Sequence, residues 1–228
     1  MSSEIDSAIS KIKAQLEKLH SMVTSALKQS MKAFEDLDNE LADAALIASE
    51  EVEQLHHSIE EFVFTTVSEL QPKGMDLRRL IAYLNTSVAL QKVGRYSNKI
   101  AEIVTINDEL DHFKELESLP YLAELANSAL EISIRAILTE DLSEIDELEK
   151  LEAQSDNEEA DMFCEIAEYL NRRQDISEIA MYYIIVGRYC ERAADQAVNI
   201  AEAANYMLSG NRVKLGLAYK GESASLLD

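Results

Sequence analysis

The chain has 228 residues, of which 43 are acidic and 21 basic, giving a formal charge of −22, and 47% are hydrophobic. That length can bury a sizeable core as one or two domains. The charge excludes the basic footprint that DNA or RNA binding needs, and it disfavours contact with an anionic membrane surface. The longest apolar run, about residues 179–187, falls far short of the ~20 residues of a membrane span, so no membrane insertion is expected. The first residues lack the basic and apolar regions of a signal peptide. Cys164 and Cys190, the only cysteines, lie in apolar helical contexts with no CxxC pattern. They read as unbridged core thiols of a cytosolic protein.

Hydrophobic periodicity predicts six helices. The first covers about 5–37, with a stripe of Ile5, Ile9, Ile12, Leu16, Leu19, Val23, Leu27, Ser30 and Phe34. Its alternating three- and four-residue steps are a seam for antiparallel packing. A turn at Asp38-Asn39 leads into a second helix carrying Val52, Leu55, Ile59 and Phe62, which Pro72 and Gly74 stop. The third begins near Asp76 and runs to about Val104. An acidic segment, 107–118, joins the halves. Pro120 fits the first turn of helix 4, which ends near Leu138. Helix 5 covers about 143–172 and helix 6 about 176–208, with Ser209-Gly210-Asn211 as the stop. No segment shows sustained strand-like alternation.

The predicted fold is therefore all-α, six long helices as two pseudo-repeated three-helix bundles. The first bundle covers 1–110 and the second 117–210, with a loosely ordered tail over 211–228. If helix 5 repeats helix 2 at the spacing of Val52 and Ala160, its core stripe is Ala153, Asp156, Ala160, Phe163, Ala167 and Leu170.

The repeat is sharpest in helices 3 and 6. Arg188-Tyr-Cys-Glu191-Arg-Ala-Ala-Asp195 continues to Asn199-Ile-Ala-Glu202, and a degraded copy runs from Ala89 to Ile100-Ala-Glu102. Glu191 and Asp195, four apart, place two carboxylates one turn apart on one helix face. The first copy has Gln91 and Arg95 instead. Counting from the helix 5–6 turn near Arg173 sets Asp156 level with Cys190 and Glu191. The bland reading of these acids is a solvated flank, neutralised by Arg188 or Arg192. Glu17-x-x-His20 and Glu53-x-x-His56 suit the di-metal core of ferritin-like bundles, or else are rim histidines. Gly94 and Gly187 read as close-packing positions inside helices. Tyr83, Tyr182, Tyr183 and Tyr189 supply more amphipathic rings than two slim bundles need, which points to a homodimer.

The chain resembles the PhoU family of phosphate-transport regulators over about 12–210. The resemblance rests on Glu191-Arg192-Ala193-Ala194-Asp195 with Asn199-Ile200-Ala201, and on Gln71-Pro72 with Asp76-Leu77-Arg78 at the entry to helix 3. It implies a non-enzymatic cytoplasmic adaptor touching the ATPase of a phosphate ABC transporter and a sensor histidine kinase. It also implies iron or zinc, held by the paired carboxylates of helix 6 with acids of helix 5. Here those residues are Glu191, Asp195, Asp161 and Asp156, while the leading family aspartate is Asn157. In the first half only Glu53 remains, facing Gln91 and the cationic Arg95, so no metal is expected there. The alternatives are a PhoU-like adaptor of another transporter or channel, and a helical di-metal oxidase or metal store.

Overall fold

The structure is a computed structural model that describes residues 2–106 and 110–219. It contains α1 (Ser2–Asp36), α2 (Asn39–Leu70), α3 (Met75–Thr105), α4 (Ser118–Thr139), α5 (Ile145–Arg172) and α6 (Ser177–Ser209). One 3-10 turn, Gln174–Ile176, leads into α6. No strand occurs among the described residues.

The helix ends have local causes. Asp38 caps α2, its Oδ1 accepting from the N–H groups of Glu40 (2.8 Å) and Leu41 (3.0 Å). Gln71 ends α2 in the left-handed region, φ 46°, and Pro72 cannot extend the helix. Gly210 closes α6 at φ 75°, a conformation glycine adopts without a Cβ clash. Glu140 ends α4 at φ 62°, where a side chain is uncommon. Its carboxylate accepts from Lys13 Nζ (3.2 Å) and Arg79 Nη2 (2.9 Å), tying both halves to this one corner.

Burial separates outer helices from central ones. α2 buries 8 of 32 residues and α5 buries 6 of 28, which is one face each. α3 buries 15 of 31 and α6 buries 16 of 33, too many for a single stripe. The second face of each central helix is covered by the other half, α3 against α6 and α1 against α4. Across the latter seam the helices run antiparallel, since Lys13 reaches Leu138 O (2.9 Å) while Thr24 and Asn127 line one groove. The linker is pinned by His112, whose Nδ1 lies 2.8 Å from Tyr183 Oη and whose Nε2 lies 2.9 Å from Phe34 O. Phe34 meets its ring edge-on, Tyr183 packs beside it at a tilt, and Phe113 stacks on Tyr183.

The burial pattern sets the repeat register. Ala45 corresponds to Leu148, Ser49 to Glu152, Val52 to Ser155, Ile59 to Met162 and Val63 to Ile166, a constant shift of 103 (148 − 45). α1 and α4 share that shift, as Ser30 and Ser133 each donate to the carbonyl three residues earlier. This corrects the expected stripe of α5. Phe163 is 54% exposed, and Ala160 and Ala167 are exposed. The larger apolar residues Leu148, Met162 and Ile166 win the core, and the polar Glu152 and Ser155 between them hide that stripe from hydrophobic periodicity.

Three further expectations change. Cys190 is buried but Cys164 is exposed, and both are free thiols. Tyr83 and Tyr183 are fully buried within the chain, and Tyr189 stacks on Tyr96 at 5.8 Å, so these rings serve the fold itself. Tail residues 211–219 are not loose. Leu215 N–H donates to Glu202 (2.9 Å), Gly216 N–H donates to Glu149 (2.9 Å), and Tyr219 Oη donates to Asp146. Residues 220–228 lie outside the described residues.

Gly94 and Gly187 are the close-packing positions expected, with different tolerance. A Cβ on Gly94 would lie 2.7 Å from Cγ1 of the stiff, β-branched Val52, whereas one on Gly187 would meet the flexible end of Met162. Alanine gains about 1 kcal/mol of helix propensity, but overpacking costs about 1–3 kcal/mol where the neighbour cannot move. Gly94→Ala is therefore expected to lower the denaturation midpoint, and Gly187→Ala to leave it unchanged or raise it. Chemical denaturation of both variants checks this; equal effects would contradict it.

Candidate functional site

The register places two related polar clusters where α2 meets α3 and where α5 meets α6. In the first, α2 contributes Glu53 and α3 contributes Gln91 and Arg95. Gln91 Nε2 donates to both Glu53 oxygens at 2.8 Å, and Arg95 Nη2 lies 3.2 Å from Oε1. His57 Nε2 is 3.5 Å from the same carboxylate. Burial raises the Glu53 pKa, but the hydrogen bonds from Arg95 and Gln91 outweigh it and hold the carboxyl below its ordinary value. The first half neutralises its own carboxylate.

In the second cluster the shift of 103 turns Glu53 into Asp156, and Gln91 and Arg95 are answered by Glu191 and Asp195. Glu191 is 9% exposed. Its Oε2 lies 3.3 Å from Arg188 Nη1, and the same nitrogen lies 3.5 Å from Glu159 Oε1. Burial, reinforced by Asp195 and opposed by Arg188, pushes the Glu191 carboxyl up to about 7, with Glu159 and Asp156 adding to the rise. Arg188 does not reverse the shift because its side chain is half exposed and its charge is screened by water. Tyr96 of α3 feels Arg192, Asp195 and Glu191, so the cluster reaches the seam between halves. Burial raises the Tyr96 pKa first.

Three of the four expected residues, Glu191, Asp195 and Asp156, thus share one electrostatic neighbourhood. Asp161 does not join them. It is exposed, and α5 turns it away from the Leu148–Met162–Ile166 core stripe. Glu159 takes a place that the sequence reading missed; its position three residues after Asp156 puts it on the same helix face. Among the described residues no three His, Cys, Asp or Glu groups are gathered closely enough to hold a metal ion, and the guanidinium of Arg188 stands between Glu159 and Glu191.

The ExxH pairs form no common centre either. His20 and His56 are buried, not on the rim. His20 Nε2 faces Glu131 of α4 at 3.6 Å, whereas His56 Nδ1 is 2.8 Å from Ser87 Oγ of α3. They serve different seams, and desolvation lowers both pKa values.

Glu191 gives the site a pH signature. Its ordinary value is 4.5 and its folded value is about 7, so between them the folded chain keeps a proton that the unfolded chain has lost. The associated stability is fully present below about pH 4.5 and is lost as pH rises through about 7, an effect of about 3 kcal/mol. From pH 5 to pH 8, urea unfolding of the wild type should lose that much more stability than Glu191→Gln. Parallel pH profiles for the two proteins would contradict the assignment.

With the geometry in hand, comparison with known proteins gives one result. The PhoU domain model matches residues 16–104 and 119–204, the two repeats. The phosphate-specific transport system accessory protein PhoU homolog 1 of Thermotoga maritima is 24% identical over 204 residues, 89% of this chain and 88% of that one. The PhoU homolog of Caulobacter vibrioides is 24% identical over 201 residues, covering 88% and 87%. Among solved structures, PhoU from Pseudomonas aeruginosa superposes with a TM-score of 0.85 at 19% identity, covering 90% of this chain and 99% of that one. The phosphate transport system regulatory protein PhoU from Streptococcus pneumoniae gives 0.82 at 21% identity, covering 92% and 100%. Both repeats match the family model and the fold of its solved members, and this chain belongs to the PhoU domain family.

Proposed function

We propose that this protein is a non-enzymatic accessory regulator of phosphate uptake and phosphate signalling. It works in the cytoplasm as a helical adaptor on the ATPase of a phosphate ABC transporter, on a sensor histidine kinase, or on both. The observation that carries this reading is the match of both repeats to the PhoU domain, together with relatives named for phosphate-specific transport. Two features of the chain support it. No helix among the described residues is long and apolar enough to cross a membrane, so membrane partners must be met from outside the bilayer. α2 and α5 each bury one face only, leaving long surfaces for docking. α2 displays Ile47 and Phe64 at 61% and 73% exposure, apolar anchors of the kind that partner or homodimer interfaces bury.

The test is direct. The purified chain should bind the transporter ATPase or the sensor kinase, and deletion of its gene should change phosphate uptake in a way the wild-type gene restores. Binding to neither, with uptake unchanged, would overturn the reading; capture of another transporter's ATPase would move it to that system. Phe64→Glu should weaken the partner interaction without unfolding the chain, because the ring is largely in water already.

Divalent-cation binding in the second half, iron or zinc by family resemblance, belongs to the same proposal in a restricted form. Glu191, Asp195 and Asp156 are its oxygen ligands, and the ion competes with Arg188. Its support is the gathering of Asp195, Glu159 and Asp156 around Glu191, whose carboxyl is pushed up by burial first and by those acids after it. Metal content after zinc or iron titration should rise in Arg188→Gln and vanish in the Glu191→Gln/Asp195→Asn double variant. Equal content in all three proteins would remove the site.

A further inference from the structure

A cavity of about 390 Å³ lies between α3 and α6, further along the seam from Tyr96 and Tyr189, and the start of the tail walls it with Arg212 and Val213. Its polar lining is unlike the rest of this acidic molecule. Lys92 and Arg212 both line it, and neither ion-pairs with a carboxylate among the described residues, although acids outnumber bases by 43 to 21. Arg212 instead sits over the ring of Tyr206, 5.2 Å from its centroid. A third cation, Arg78, packs against Gly210, two residues before Arg212. The one carboxylate in the lining, Glu202, has its Oε1 engaged by Leu215 N–H at 2.9 Å.

The second observation concerns Gln196. It lines the same cavity, is 7% exposed, and its Oε1 has no hydrogen-bond partner among the described residues. A buried amide oxygen without a donor is costly, so such a group marks a place where a donor is expected. Asn85 and Asn199 add two more carboxamides nearby, and Ile81 and Val88 supply apolar wall. The volume falls in the range of small-molecule pockets, ~300–1,000 Å³, and exceeds what a bare oxyanion fills.

We propose that this cavity binds a small organic oxyanion that also carries N–H or O–H donors. Lys92 and Arg212 hold the oxyanion through charge-assisted hydrogen bonds. Gln196, whose Oε1 is covered by protein as the side chain stands, turns that oxygen into the cavity to accept from the donor end, and Tyr206 and Ile81 flank the body of the molecule. The site is separate from the Glu53 and Glu191 clusters, and its occupancy tightens the contact of the tail with α6 because Arg212 belongs to the tail.

The experiment uses the full chain, with adenosine monophosphate as a probe carrying both chemistries and inorganic phosphate as the free oxyanion. Titration followed by side-chain amide NMR and calorimetry should show saturable shifts of the Asn85, Gln196 and Asn199 amides with the nucleotide. Phosphate should compete for the same site more weakly. Lys92→Ala and Arg212→Ala, both at exposed positions, should each weaken nucleotide binding about tenfold while leaving the unfolding midpoint in place. Gln196→Leu should erase the preference for nucleotide over phosphate. The proposal is overturned by an absence of saturable shifts for both probes up to about 10 mM. It is equally overturned by unchanged affinity in the Lys92→Ala/Arg212→Ala double variant, or by equal affinity for the two probes in the wild type.

Discussion

The docking of the two three-helix halves through α1 against α4 and α3 against α6 is the constraint on which everything else in this molecule rests. A slim three-helix bundle buries one stripe per helix, and α2 and α5 do no more than that. The four central helices carry a second apolar or small-residue face that would be left in water if each half stood alone. Docking covers it. The same contact stacks Tyr96 on Tyr189, locks the linker through His112 against Phe34 and Tyr183, and gathers Lys13 and Arg79 on Glu140. The polar seams between halves, and the cavity walled by the tail, exist only because the halves are held in one relation.

Within that frame the two repeats have diverged by charge rather than by shape. Equivalent positions hold Glu53, Gln91 and Arg95 in one half and Asp156, Glu191 and Asp195 in the other. The first set has a net neutral balance and lowers the Glu53 pKa; the second buries Glu191 beside other carboxylates and raises its pKa. In both halves an arginine answers the acid, Arg95 from the helix face itself and Arg188 from one turn earlier. Burial of Glu191, reinforced by the neighbouring acids, is strong enough to hold a proton, yet a flexible guanidinium can relieve part of the cost without fixing any geometry.

Neutralisation by neighbours is a recurring device of this chain of net charge −22. Glu202 and Glu149 take backbone N–H groups of the tail, and Glu140 takes two cations at once. These contacts turn excess acidity into structure at chosen points. They leave the outer faces of α2 and α5 solvated and available, which suits an accessory protein whose work is done on its surface.

Helix count, helix ends and the pseudo-repeat were legible in the sequence because they are local. Stripe spacing, the turn at Asp38-Asn39, and Pro72 and Gly210 as stops depend on residues within a few turns of one another, and the echo of α6 in α3 is read from two short motifs. The phase of α5 was not legible. Its core stripe runs through Glu152 and Ser155, and a rule that sorts residues by hydrophobicity cannot see a carboxylate that the fold buries. That single rotation decided the site: it placed Asp156 opposite Glu191, brought in Glu159, sent Asp161 and Cys164 outward, and left Arg188 between two glutamates. The buried roles of His20, His56, Tyr83 and Tyr183 were hidden for the same reason. By itself the sequence determined six helices, their order, their repeat and the family they belong to, since these follow from periodicity and short motifs. Only the tertiary structure decided which polar groups face one another, because that depends on helix rotation and on contacts between residues a hundred positions apart.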